Sequence, residues 1–120
     1  QVNPESPLGY GMPTSAAAMF ANSVVMDSFL PGAEDIGRQV VASYPADDIL
    51  LSGWLIGGER MAGKVAVLDV RQGKGRLALI GFRPQYRGQS HGTYKFLLNA
   101  LLYPQRTPPV VSSENAVVRR

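Results

Sequence analysis

GKVAVLDVRQGKGRLALIGFRPQYRGQSHGTYKFLLNALLY, residues Gly63–Tyr103, decides the fold. It reads as strand, tight turn, strand, polar arginine-rich loop and helix. Lys64–Val70 and Arg76–Phe82 are apolar runs of strand length. Arg71-Gln72-Gly73-Lys74-Gly75 between them has the composition of a hairpin connection, with Gly73 or Gly75 placed to take a positive φ. In both runs odd and even positions alike are apolar: Val65 and Val67 alternate with Ala66 and Leu68, and Leu77 and Leu79 with Ala78 and Ile80. Strands without a polar face belong in the middle of a sheet covered on both sides. Thr93–Tyr103 then spaces Tyr94, Leu97, Leu98, Leu101 and Leu102 as one helical stripe. That stripe places Leu97 and Leu101 against the hairpin. Ser90 or Thr93 is the expected N-cap, and Pro104 the stop.

Upstream the signals are weaker. Gln1–Pro13 holds three prolines and two glycines and reads as loop. Thr14–Ala18 suits a short helical turn. Val24-Val25-Met26 favours strand within Met19–Phe29. Leu30–Gly37 reads as a turn, and Gln39–Tyr44 as a short strand ended by Pro45. Ile49–Ile56 is apolar, a strand or a strand leading into a turn of helix, stopped by Gly57-Gly58. Trp54 and Tyr10 are expected to pack in the core. Residues 105–120 lack periodicity and read as a flexible tail behind one domain spanning 1–104.

The chain has 120 residues, 45% of them hydrophobic and 18% charged, an ordinary globular composition for one domain or part of one. Its net charge is +3, but without Arg106, Arg119 and Arg120, which lie beyond the helix, the body is near neutral. The other basic residues form no stripe, so no nucleic-acid partner is expected. No stretch reaches the roughly 18 apolar residues of a membrane helix, so none is expected to insert there. Cysteine is absent, which excludes disulfides, thiolate zinc sites and a cysteine nucleophile. The first residue is Gln1, which suits an excised segment.

Chemistry is concentrated in Arg83–Gly92. The candidate ligand-binding set is Arg83, Gln85, Tyr86, Arg87 and His91, with the arginines suited to a carboxylate or phosphate. The competing, preferred reading is structural. Arg83 ties loop carbonyls or a buried acid, with Asp69 as one candidate, and His91 hydrogen-bonds locally. A triad or a zinc site needs a partner set that a single histidine does not bring. Glu34-Asp35 and Asp47-Asp48 are acid pairs of the kind that serve turns. Gly73-Lys74-Gly75 is too short for a P-loop, and GWLIGG at Gly53–Gly58 is not a dinucleotide fingerprint.

LSGWLIGGERMAGKVAVLDVRQGKGRLALIGFRPQYRGQSHGTYKFLLNALLY (Leu51–Tyr103) resembles the C-terminal region of bacterial secreted zinc carboxypeptidase-like proteins of the carboxypeptidase A superfamily. In those proteins a glutamine-amidotransferase-like domain follows the peptidase domain. The motifs that carry the resemblance are PLGYGMP at Pro7–Pro13, LSGWL at Leu51–Leu55, GKGR at Gly73–Arg76 and GFRPQYRGQSHGTYKFLLNALL at Gly81–Leu102. Phe29–Gln39 gives little to match.

The resemblance implies an α/β or α+β fold. It would be a partial class I amidotransferase-like (flavodoxin-like) domain, with a mixed sheet, a central hairpin and a C-terminal helix. It corresponds to the later half of that domain, with the earlier strands upstream of Gln1. The family's peptidase chemistry uses zinc on two histidines and a glutamate, and true amidotransferases use a cysteine. Neither set is in this sequence, so the resemblance carries no catalytic residue, metal ligand or cofactor onto it, and zinc belongs to the parent's peptidase domain. The implied role is a non-catalytic accessory segment in the periplasm or outside the cell. Its expected partners are the upstream part of its own chain or a second copy. The alternatives are a small-ligand or carbohydrate-binding module and an assembly element.

Overall fold

The computed structural model describes residues 1–28 and 36–103. The tail expected at 105–120, the Glu34-Asp35 pair and most of the Leu30–Gly37 turn lie outside these residues. The described residues form an α+β domain with a three-stranded antiparallel sheet and one C-terminal helix. The strands are β1 (Ile36–Ser43), β2 (Val65–Gln72) and β3 (Gly75–Ile80), in the order β1-β2-β3. The helix, α1, is Tyr94–Leu102. No parallel pair occurs among the described strands, so the sheet is antiparallel and not mixed.

The hairpin forms as its sequence predicts. Gln72 pairs with Gly75 across a two-residue turn, and Gly73 has φ 55°. A glycine in first place is what a II′ connection requires, because a Cβ there meets its own backbone. Gly75 is not among the positive-φ residues.

The hairpin's place in the sheet differs from expectation. β2 is central, and Val65–Asp69 are buried, as a strand without a polar face should be. β3 is an edge strand, with Leu77 and Leu79 exposed. Its apolar alternation describes a strand with neighbours on both faces, and the described residues supply them only in part.

The helix differs as well. Leu97, Leu98, Leu101 and Leu102 are 36%, 52%, 66% and 82% exposed, whereas Phe96 is buried. The rotation of α1 is set by three specific contacts. The Phe96 ring meets Phe82 edge-on at 5.8 Å. Asn99 Nδ2 donates to the carbonyls of Leu8 and Tyr10, both at 3.0 Å, and Lys95 Nζ donates to the Gly11 carbonyl. Those carbonyls lie in and just after the 3-10 turn Pro7–Gly9. An aromatic anchor and a satisfied amide therefore determine which side of α1 faces in, and the leucine stripe faces out.

The N-terminal region wraps the sheet with little regular structure. Met26 bridges Val65, Met19 bridges Arg83, and Val2 bridges Ala42. No helical turn forms at Thr14–Ala18, and Ile49–Ile56 is neither strand nor helix. Trp54 and Tyr10 are exposed, not core. The core gathers Leu8, Met12, Val41, Met61, Val67 and Phe82 with Phe96.

Tyr44 is buried at the edge of this core, edge-on to Phe20 at 5.9 Å. Its hydroxyl has no hydrogen-bond partner among the described residues. Burial pushes its pKa from 10 up to about 12. A neutral phenol favoured by the folded state loses its contribution as the unfolded chain begins to ionise. Stability should therefore fall as pH rises from 10 to about 12. In Tyr44→Phe this alkaline decline should be smaller, with stability at pH 7 unchanged or raised, because an unpaired buried hydroxyl is removed. Urea midpoints measured across the alkaline range check both points.

Candidate functional site

The Arg83–Gly92 loop joins the end of the hairpin to α1 and is held by its own side chains. Ser90 Oγ accepts from the Tyr86 amide at 2.9 Å and donates to the Pro84 carbonyl at 3.2 Å. Thr93 Oγ1, buried, lies 2.9 Å from the Pro84 carbonyl and 3.1 Å from that of Ser90, and its one hydrogen serves either. Neither residue makes the N-cap bond expected of it. Their hydroxyls instead fasten the loop's first residues to its last.

Tyr86–Gln89 is a tight turn closed by the Gln89 amide on the Tyr86 carbonyl at 2.9 Å. Both central residues have positive φ, Arg87 at 49° and Gly88 at 68°. This is the I′ pattern, which favours Asn-Gly or Gly-Gly. Gly88 fits that preference. Arg87 does not, and a side chain of its kind in the left-handed region costs on the order of 1 kcal/mol.

Of the candidate residues, three come together. Arg83 Nε donates to the Ala21 carbonyl at 2.7 Å, and its amide donates to the Met19 carbonyl at 3.2 Å. The expected tie to backbone carbonyls is therefore present, while Asp69 is not its partner. Asp69 accepts two bonds from Arg76 on the neighbouring strand. The Arg83 guanidinium carbon lies over the Tyr86 ring at 5.0 Å, and that of Arg87 lies over the same ring at 5.0 Å. Neither arginine has an ion-pair partner among the described residues.

His91 stands apart from this group. Its Nε2 donates to the Gly88 carbonyl at 2.5 Å, and its ring stacks on Tyr94 at 5.0 Å. Gln85 is exposed and joins neither group. The arrangement offers two cationic forks beside one aromatic ring, with no nucleophile and base within bonding distance of each other.

Elsewhere, Ala46–Leu50, Leu55, Gly58 and Glu59 line a shallow depression of about 360 Å³. Asp48 there has φ 51°, in keeping with a turn role for the Asp47-Asp48 pair. Among the described residues no three His, Asp or Glu side chains converge as a metal site. No described helix is long and apolar enough to cross a membrane.

Sequence reasoning missed an exposed apolar sheet face. The register aligns Val40, Leu68 and Leu79 in one row, and Arg38, Val70 and Leu77 in the next. All six project from the same face. Leu68 is buried, whereas Val40, Leu77 and Leu79 are exposed. The signal was present in the period-two pattern, but its outer face was read as covered. No family model matches this chain, and neither a curated relative nor a solved structure matches it.

Proposed function

We propose that this chain is a non-catalytic accessory segment of a zinc carboxypeptidase-like metallopeptidase and that it works by packing. Its sheet face and the outer side of α1 dock on the remainder of a flavodoxin-like, amidotransferase-type domain in the parent protein, in the periplasm or outside the cell. The observation that supports this is the exposure of Leu77 and Leu79 on the sheet together with Leu98, Leu101 and Leu102 on the helix. Clusters of large apolar side chains left in water on a folded domain mark an interaction site, since leaving them there forgoes about 25 cal/mol per Å². The resemblance over Leu51–Tyr103 supplies the occupant, because a doubly covered sheet is what those proteins build. Zinc and peptide hydrolysis belong to the parent's peptidase domain. This segment contributes no cysteine, and its one histidine is engaged with the Gly88 carbonyl.

The test is co-expression with the peptidase-containing remainder of the parent chain, read by analytical ultracentrifugation. A stable complex is expected, weakened at least tenfold by Leu79→Asp and by Leu101→Asp, with the melting temperature of the isolated segment unchanged. A monomer that ignores the remainder overturns the proposal. A dimer of the segment broken by the same two substitutions overturns it too, because the occupant is then a second copy.

A further inference from the structure

We propose that Arg83, Tyr86 and Arg87 form a binding site for a small dicarboxylate. The guanidinium carbons of Arg83 and Arg87 each lie over the Tyr86 ring at 5.0 Å, and neither group is neutralised by an acid among the described residues. Arg83 uses only Nε internally, on the Ala21 carbonyl, so its terminal nitrogens face no described acceptor. Arg87 is exposed and makes no described hydrogen bond. Like charges held close to one ring repel each other unless a counter-charge is present, and the complement of two such forks is a ligand with two carboxylates.

The backbone supplies an independent observation. Arg87 is held in the left-handed region in the first central position of a I′ turn, where Asn or Gly is cheaper. A residue kept where it costs stability points to a task that its side chain performs. The loop is also preorganised. The hydroxyls of Ser90 and Thr93 fix its ends, the Gln89 amide closes its turn on the Tyr86 carbonyl, and Arg83 is anchored on the Ala21 carbonyl. Less ordering is then left for a ligand to impose.

Dicarboxylate is favoured over phosphate by the number and type of the forks. Two guanidinium groups beside one ring can each take one planar carboxylate. Phosphate sites recruit converging backbone N–H groups, and four of this loop's amides, those of Tyr86, Gln89, His91 and Thr93, are already bonded within it.

The experiment titrates the intact chain with succinate, acetate and inorganic phosphate, following the arginine Nε–Hε signals by NMR. Succinate is expected to shift the Arg83 and Arg87 signals with a Kd tighter than about 1 mM, and acetate and phosphate to bind at least tenfold more weakly. Arg87→Asn should lose succinate binding at least tenfold while melting at the same temperature or higher. That pairing separates a binding role from a structural one. No succinate response, or phosphate binding tighter than succinate, overturns the site as a dicarboxylate site. An Arg87→Asn variant that melts lower or fails to fold overturns the argument from backbone strain, and the wild-type titration then stands as the test of binding by itself.

Discussion

Phe96→Ala is expected to destabilise the domain by about 3–5 kcal/mol, while Leu101→Ala changes its stability by less than about 0.5 kcal/mol. Phe96 is 2% exposed and meets Phe82 edge-on inside the core cluster, so truncation removes a ring that the surrounding side chains cannot refill. Leu101 lies on the opposite side of α1, where truncation removes a side chain that is mostly in water. A domain of this size has a total stability of roughly 5–15 kcal/mol, so the first change removes a large share of it. Phe96→Leu, which keeps most of the volume, then provides a milder step in the same direction. Urea midpoints for the three variants decide the rotation of the helix. If Leu101→Ala costs several kcal/mol and Phe96→Ala little, α1 is turned by half a revolution from the orientation described.

The helix shows where the sequence was legible and where it was not. Its existence and ends follow from local pattern, and Tyr94–Leu102 lies inside the expected Thr93–Tyr103. Which side faces in does not. Two stripes compete, one of leucines and one of Phe96, Asn99 and Ala100. The weaker-looking stripe wins because Asn99 and Lys95 find carbonyls on the segment from Leu8 to Gly11, more than eighty residues away in sequence. Periodicity measures apolar content and cannot register a distant carbonyl. The hairpin behaves in the same way: its turn is local chemistry and forms as read, whereas its place at the sheet edge depends on what lies beside it. In the loop, Arg83 and His91 do find carbonyls, but the pairing of Arg83 and Arg87 over Tyr86 depends on a turn with positive φ at an arginine. No propensity rule assigns that turn to Tyr-Arg-Gly-Gln.

Asp69 and Arg76 should produce the other large effect. Asp69 is 2% exposed in the middle of β2, and Arg76 reaches it from β3 with two nitrogens, Nε at 2.6 Å from Oδ1 and the second on Oδ2. The bond to Asp69 holds the Arg76 pKa above its ordinary value, although burial opposes this. The Arg76 guanidinium also lies over the Tyr103 ring at 4.7 Å, so one side chain joins the sheet's buried acid to the end of α1. Removing one partner leaves a buried charge without compensation, which costs about 3–5 kcal/mol, far more than the pair itself contributes. Arg76→Met should therefore be severely destabilising, even though methionine fills similar space. Replacing both partners, as Asp69→Leu with Arg76→Met, removes the charge along with its counter-charge and should recover most of that loss, apart from the contact with Tyr103. The four chains of this double-mutant cycle, compared by urea denaturation at pH 7, separate the two contributions. If the double variant is no more stable than Arg76→Met alone, the packing around Asp69, and not its charge, is what the pair protects.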